Sequence, residues 1–310
     1  MQNEKQWYII VNPAAGNGVA QRVWPRIKAI LTEKFPKAAI VYTEYRDHAI
    51  ALVTEAVSKG FRHIMAVGGD GTNHEVCNGI LMQKTVPSTD ITYALLPIGT
   101  GNDWIRTHRI SKDLHQWLSM VAQGNTFLQD VGTLDYMNDG KAQQRYFFNV
   151  AGLAYDGFVV RYIEKNKKKV KNSLFYLFMI VRCILMYQLR KARIRFNGQE
   201  DSGYHYTINA GICKYSGGGM SLVPHAVPDD GMLALTIAGK VSKAEVLLNA
   251  YRFYNDSITK HRKIEGYYTK EIMIDAMDDG PILLEADGEF LGETPVRISI
   301  VEKALKIIVP

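Results

Sequence analysis

A chain of 310 residues that is 47% hydrophobic and 22% charged can build a full core and is long enough for two domains. Its three cysteines, Cys77, Cys183 and Cys213, lie far apart with no CxxC spacing, so neither a disulfide framework nor a zinc site is indicated and a reducing cytoplasm fits best. The formal charge of +6 points to anionic partners, whether nucleic acid, nucleotide phosphates or an acidic membrane surface, without choosing among them.

The first apolar run, "WYIIV" at 7–11, reads as a strand and is too short for a signal-peptide core, so secretion is not expected. It stops at "NPAAGNG", a cluster of turn formers. Val19, Val23, Ile27 and Leu31 then recur at helical spacing, with Pro25 either kinking that helix or marking its true start. "AAIVYT" reads as a second strand. Ala49, Leu52, Val53, Ala56 and Val57 form an amphipathic helix closed by Gly60. "HIMAV" and "ITYALLP" are two further buried strands, each leading into a glycine-rich loop and a helical pattern. Strand and helix alternate to about residue 125, the pattern of a doubly wound, mostly parallel α/β sheet.

The second half changes period. "ARIRFNG", "YHYTINAGI", "MLALTIAG", "KEIMIDA" and "VRISIVEKALKIIV" are β-rich with short turns, which predicts an antiparallel sandwich. The expected division is an α/β domain over 1–134 and a β-rich domain over 135–310, whose last strand is free to return to the first.

In an open α/β sheet, ligands sit beyond the carboxyl ends of the strands, and three such ends here carry "NPAAGNG", "GGDGT" and "LPIGTGND". Glycine lets the backbone approach a bulky anion, and N–H groups at a helix start favour negative charge, so the chemistry indicated is phosphate binding. Neither GxxxxGK[ST] nor a GxGxxG after a strand is present, which argues against a P-loop and a Rossmann fingerprint. One such loop alone is as often a plain left-handed turn; three in series are not explained that way. Asp70 and Asp103 beside these loops would repel a phosphate unless a cation lay between them, and Mg²⁺ is the natural candidate. Asp130 either joins them or is a turn residue.

"VNPAAGNG", "AVGGDGTNHEV" and "LPIGTGNDWIR", in this order and spacing, resemble the lipid-kinase family that shares the diacylglycerol kinase catalytic domain, which includes bacterial diacylglycerol kinases and sphingosine kinases. "SGGGMSLVPHAVPDDGML" and "EADGEFLGETP" extend the resemblance over most of the chain. The resemblance implies a fold like NAD kinases and phosphofructokinases in the first domain. It also implies transfer of the γ-phosphate of ATP to a lipid hydroxyl, diacylglycerol being the foremost acceptor and phosphatidic acid its product. Carried over position by position, nucleotide binding falls to Asn12, Pro13, Ala14, Ala15, Gly16, Thr43, Gly69, Asp70, Gly71, Thr72, Asn73, His74, Glu75, Thr100 and Asn102. Asp70, Asp103 and Asp130 match a water-bridged Mg²⁺ network, and a structural metal is implied at Asp230 with the carbonyls of Val227 and Met232. Asp-Asp-Gly there is also an ordinary turn.

Phosphoryl transfer needs a group to accept the hydroxyl proton. Glu289 matches the family's base, with Asp287 as its partner; the same "DG" between apolar runs is a hairpin signal, and both readings hold together. The carboxylates of "DAMDDG" at 275–280 remain rivals. Residues 173–189, "SLFYLFMIVRCILMYQL", fall short of the ~20 apolar residues of a spanning helix and carry Arg182. With "KNKKKVK" before and "RKARIR" after, this segment either rests on anionic lipid, lines an acyl groove, or packs as a buried helix. No spacing suggests nucleic-acid binding. The expectation is thus a cytoplasmic lipid kinase, peripherally membrane-associated, with a homodimer left open. An NAD kinase and a non-catalytic lipid-binding relative are the alternatives.

Overall fold

A computed structural model describes residues 6–99, 101–166, 173–278 and 280–310, with the side chains of 173–177 left aside. The chain forms two units, 1–131 together with 302–310, and 132–301.

In the first unit, β1 (Trp7–Val11) is buried along its whole length, as its uninterrupted apolar run requires of a strand covered on both faces. It is followed by α1 (Val19–Lys34), β2 (Ala39–Tyr42), α2 (His48–Ser58), β3 (His63–Gly68), α3 (Asp70–Met82) and β4 (Thr92–Pro97). Two more helices, α4 (Trp104–Thr107) and α5 (Leu114–Gln123), complete the alternation before β5 (Thr126–Asn138), which continues into the second unit. The strands pair in parallel in the order β2-β1-β3-β4. Helix α1 begins at Val19 and runs through Pro25, so the proline is interior and removes one helical N–H. On α2 the buried residues are Ala49, Leu52, Val53, Ala56 and Val57, the stripe read from spacing, and Gly60 at φ 93 ends it.

The second unit is built from β6 (Lys141–Phe147), β7 (Val150–Ala154), α6 (Tyr155–Lys165), α7 (Ser173–Met186), β8 (Arg190–Phe196), β9 (Gln199–His205) and β10 (Thr207–Gly211). After the short pair β11 (Tyr215–Ser216) and β12 (Met220–Ser221) come β13 (Leu233–Ala238), α8 (Lys243–Leu248), β14 (Ile264–Thr269), β15 (Glu271–Ala276), β16 (Leu283–Ala286) and β17 (Glu289–Ile308). Its pairings are antiparallel, along β14-β13-β10-β7-β16 and along β15-β8-β9, giving the β-sandwich expected of the second half. On β8, Ala192, Ile194 and Phe196 are buried while Arg193 and Arg195 point outward, the period of a strand with one wet face.

"YHYTINAGI" divides at Tyr206, because β9 pairs with β8 whereas β10 lies between β7 and β13. The last strand does double service. β17 pairs with β15 and β16 antiparallel, and beyond residue 302 its end pairs with β4 in parallel as part of the first unit.

Candidate active site

The loop after β1 is latched to the loop after β3 by one side chain. Asn12 Oδ1 accepts the Ala14 N–H at 2.9 Å, turning the chain, and its Nδ2 donates to Thr72 Oγ1 at 2.9 Å. Thr72 lies over Gly68, where a Cβ would stand only 2.3 Å from its hydroxyl oxygen. Gly16, at φ 64, brings the first loop against the third: a Cβ on Gly16 would lie 3.5 Å from Gly99 Cα, and one on Gly69 would lie 3.8 Å from the same atom. Three strand ends therefore meet backbone to backbone at the start of α3, a helix of 13 residues whose first N–H groups carry a partial positive charge.

The acids belong to this place. Asp70 Oδ1 accepts the Asp103 N–H at 3.0 Å, and a Cβ on Gly101 would stand 2.9 Å from Asp70 Oδ2 and 3.9 Å from Asp103 Oδ2. Burial first, then the Asp103 charge, push the Asp70 carboxyl up to about 6, against the pull of the N–H groups of Asn102, Asp103 and Trp104. Arg106 pairs with Asp103 at 3.4 Å. Asn102, at φ 51, donates to Gly99 O at 2.8 Å, and its buried Oδ1 has no hydrogen-bond partner among the described residues. Two carboxylates and an orphaned amide oxygen make an all-oxygen donor set that fits a hard cation such as Mg²⁺. Asp130 is buried on β5, where its Oδ1 accepts the Lys303 N–H at 2.7 Å.

The remaining nucleotide-loop positions differ in where their side chains go. Asn73 Oδ1 accepts the Tyr93 hydroxyl at 2.8 Å inside the core, and His74 is buried with Asn78 beside its ring. Glu75 reaches the start of α2, accepting the Asp47 and Ala49 N–H groups at 2.9 and 3.2 Å, which caps that helix with a negative charge. Thr43 is half-buried and tied by its N–H to Val11 O at 2.9 Å. Pro13 and Gly71 are half-buried, Ala14 is exposed and Ala15 buried. Thr100 lies outside the described residues.

In the second unit, Ala286 pairs with Glu289 across a two-residue turn in which Asp287 and Gly288 have φ of 52 and 85, the geometry that "DG" signals. The Asp287 carboxylate accepts the N–H groups of Phe148 and Asn149 at 3.0 and 2.9 Å, and its own N–H bonds Val150 O at 2.9 Å, so it anchors the turn to β7. Glu289 opens β17, half-buried. Of the rival carboxylates, Asp275 pairs with Arg195, Asp278 accepts the Lys191 N–H at 3.2 Å, and Asp279 lies outside the described residues. Asp230 Oδ1 accepts the Met232 N–H at 2.9 Å as in an ordinary Asx turn, next to an exposed Val227. Among the described residues no three His, Cys, Asp or Glu side chains gather as a metal-ligand group.

Two acids inside the second unit escape sequence reasoning. Glu285 is buried and bonds the Gly288 N–H of the turn before Glu289, Asp156 is half-buried beside Gly152, and the only sequence signal for either is a carboxylate inside the apolar runs "ILLEA" and "GLAYDG".

Residues 6–134 match the diacylglycerol kinase catalytic domain, and residues 149–309 match the YegS C-terminal NAD kinase beta sandwich-like domain. The chain is 29% identical to YtlR of Bacillus subtilis, covering 97% of this chain and 98% of that one. It is 28% identical to a diacylglycerol kinase of Staphylococcus epidermidis, over 99% and 92% of the two. Among solved structures, a diacylglycerol kinase from Bacillus anthracis superposes with a TM-score of 0.72 at 21% identity, covering 100% and 98%. A yeast NADH kinase superposes with a TM-score of 0.54 at 10% identity, covering 100% and 84%, and so shares the fold.

Proposed function

We propose a reaction for this chain, which belongs to the lipid-kinase family defined by the diacylglycerol kinase catalytic domain: transfer of the γ-phosphate of ATP to a lipid hydroxyl, with diacylglycerol as acceptor. The observation that carries the reading is the meeting of Gly16, Gly69 and Gly99 at the start of α3 with Asp70 and Asp103 alongside. Backbone N–H groups without intervening side chains suit a triphosphate. Asp70, Asp103 and the Asn102 carbonyl, with Asp130 through water, would hold Mg²⁺, which when bound neutralises phosphate charge. Arg106 orients Asp103, and Asn12 holds the first loop to Thr72. Glu289 takes the proton of the attacking hydroxyl, and Asp287 acts as its partner by anchoring the turn from which Glu289 starts.

The lipid would be met at a membrane surface. Of the α7 residues with described side chains, Met179 and Cys183 are buried while Phe178, Leu185 and Met186 are exposed. Lys243 on α8 donates to Leu185 O, which ties the start of α8 to the end of α7, and Leu247, Leu248, Tyr251 and Tyr254 on and just after α8 are exposed. Exposed apolar side chains in this number suit a contact area, and the chain's net charge of +6 favours anionic lipid. No helix among the described residues is long and apolar enough to cross a bilayer.

The test is ADP release with Mg·ATP over diacylglycerol, sphingosine, ceramide and phosphatidylglycerol micelles, soluble NAD, and no acceptor. Release dependent on diacylglycerol is expected, and Glu289→Gln should lower it by about 10³-fold while leaving ATP affinity within about threefold. Release with NAD alone would overturn the lipid reading. Full activity of Glu289→Gln would move the base elsewhere.

A further inference from the structure

Strands β10, β7 and β16 lie side by side, and their register sets Asn209, Gly152 and Glu285 in one row. Gly152 leaves the middle of the row empty of side chain. A Cβ built there would stand 2.6 Å from Glu285 Oε1, 2.8 Å from Asp156 Cβ and 3.1 Å from Asn209 Oδ1. Glu285 is 2% exposed and Asn209 1%. Around it, Glu285 Oε2 accepts the Gly288 N–H at 3.0 Å, Asn209 Nδ2 donates to Thr207 Oγ1 at 3.3 Å, and the Thr207 hydroxyl donates to Asp156. Asn209 Oδ1, buried, has no hydrogen-bond partner among the described residues.

A buried carbonyl oxygen facing an ionised carboxylate would leave two acceptors with no proton between them, a costly arrangement in a low-dielectric interior. The charged groups that face Glu285 do not relieve it, since Asp156 from α6 and Asp287 from the adjoining turn are both acids. Burial and then the Asp156 charge push the Glu285 carboxyl well above the ordinary range, while the Gly288 N–H pulls the other way.

We propose that Glu285 is a positioning residue: a neutral carboxylic acid that donates its proton to Asn209 Oδ1 and, through Oε2, holds the Gly288 N–H and with it the turn that leads into Glu289. The inference rests on Glu289 acting as the base. Both central residues of that turn have positive φ, a conformation that asks for support when one of them is an aspartate. Asp287 anchors the turn to β7 from one side; Glu285 holds its centre.

Glu285→Gln and Glu285→Leu separate the roles. Glutamine keeps an oxygen for Gly288 and offers N–H to Asn209 without a charge to suppress. At pH 8 the wild-type unfolded chain is ionised at this position while the fold demands the proton, so the Gln variant should melt on the order of 2–4 °C higher, with the gap closing as pH falls toward 5. Glu285→Leu should expose the Gly288 amide to hydrogen exchange at least ~10-fold faster and lower kcat about 10-fold with KM for ATP within about twofold, both retained by Gln. A Gln variant that melts lower than wild type at pH 8 would mean an ionised Glu285 and overturn the proposal. So would unchanged Gly288 exchange in the Leu variant. If Leu fails to fold, the melting comparison of Gln with wild type decides alone. Melting and exchange do not depend on turnover, so an active Glu289→Gln would defeat the base reading while these two arms still report on Glu285.

Discussion

His108 shows how one buried polar side chain ties stability to pH. It is 8% exposed, its ring tilted against that of Trp104, and its Nε2 lies 2.7 Å from Gln129 Oε1, which also accepts the Trp104 indole N–H at 2.9 Å. Burial holds its pKa down at about 4, the Gln129 contact only partly offsetting this. The unfolded chain takes up a proton below about 6.5, so the stability tied to neutral His108 is complete above that pH and is lost as pH falls toward 4. We expect the melting temperature of wild type to fall across this window more steeply than that of His108→Gln, by an amount equivalent to roughly 3 kcal/mol at the acid end. Parallel melting profiles of the two proteins would show that the imidazole is protonated in place. The surface ion pairs, such as Lys59 with Glu55, are exposed and contribute little by comparison.

At the scale of elements, α3 carries the candidate site because α2 holds it in place. Gly79 is where the two helices touch: a Cβ there would stand 2.7 Å from Val53 Cβ and 3.1 Å from Ile50 Cα, neither of which can swing aside. Four residues earlier, Glu75 caps the start of α2. Gly79→Ala should therefore cost about 1–3 kcal/mol by overpacking, read from the urea midpoint, and should weaken ATP binding because Asp70 opens the displaced helix. An unchanged midpoint would mean the helices separate without cost. The motif reading of "GGDGTNHEV" gives Gly69 to Glu75 to the nucleotide, whereas the helical period sends Asn73 and His74 inward and Glu75 toward α2. Only the three-dimensional neighbours make that distinction visible, because a motif lists positions and not directions.

At the scale of the whole molecule, the expected consequence is peripheral membrane binding. The exposed apolar residues around the α7 end and α8 sit within a chain of net charge +6. Binding to vesicles containing anionic lipid should weaken steeply between low and high salt, and Leu248→Glu, at a position 76% exposed, should reduce it about tenfold. Equal recovery of the protein on neutral and anionic vesicles would remove the electrostatic part of this account.

The sequence by itself determined the alternation of strands and helices to residue 125, the β-rich second half, the stripe on α2 and the "DG" turn before Glu289. These follow from local rules: hydrophobic period, glycine conformation and turn chemistry depend on neighbours a few residues away. The tertiary structure alone decided that Gly16, Gly69 and Gly99 meet, that Asp287 anchors β7, and that Asn209, Gly152 and Glu285 share one row. It also decided that β17 passes from one unit to the other. Such contacts join residues tens to hundreds of positions apart, and strand order and register, which no short window of sequence contains, are what bring them together.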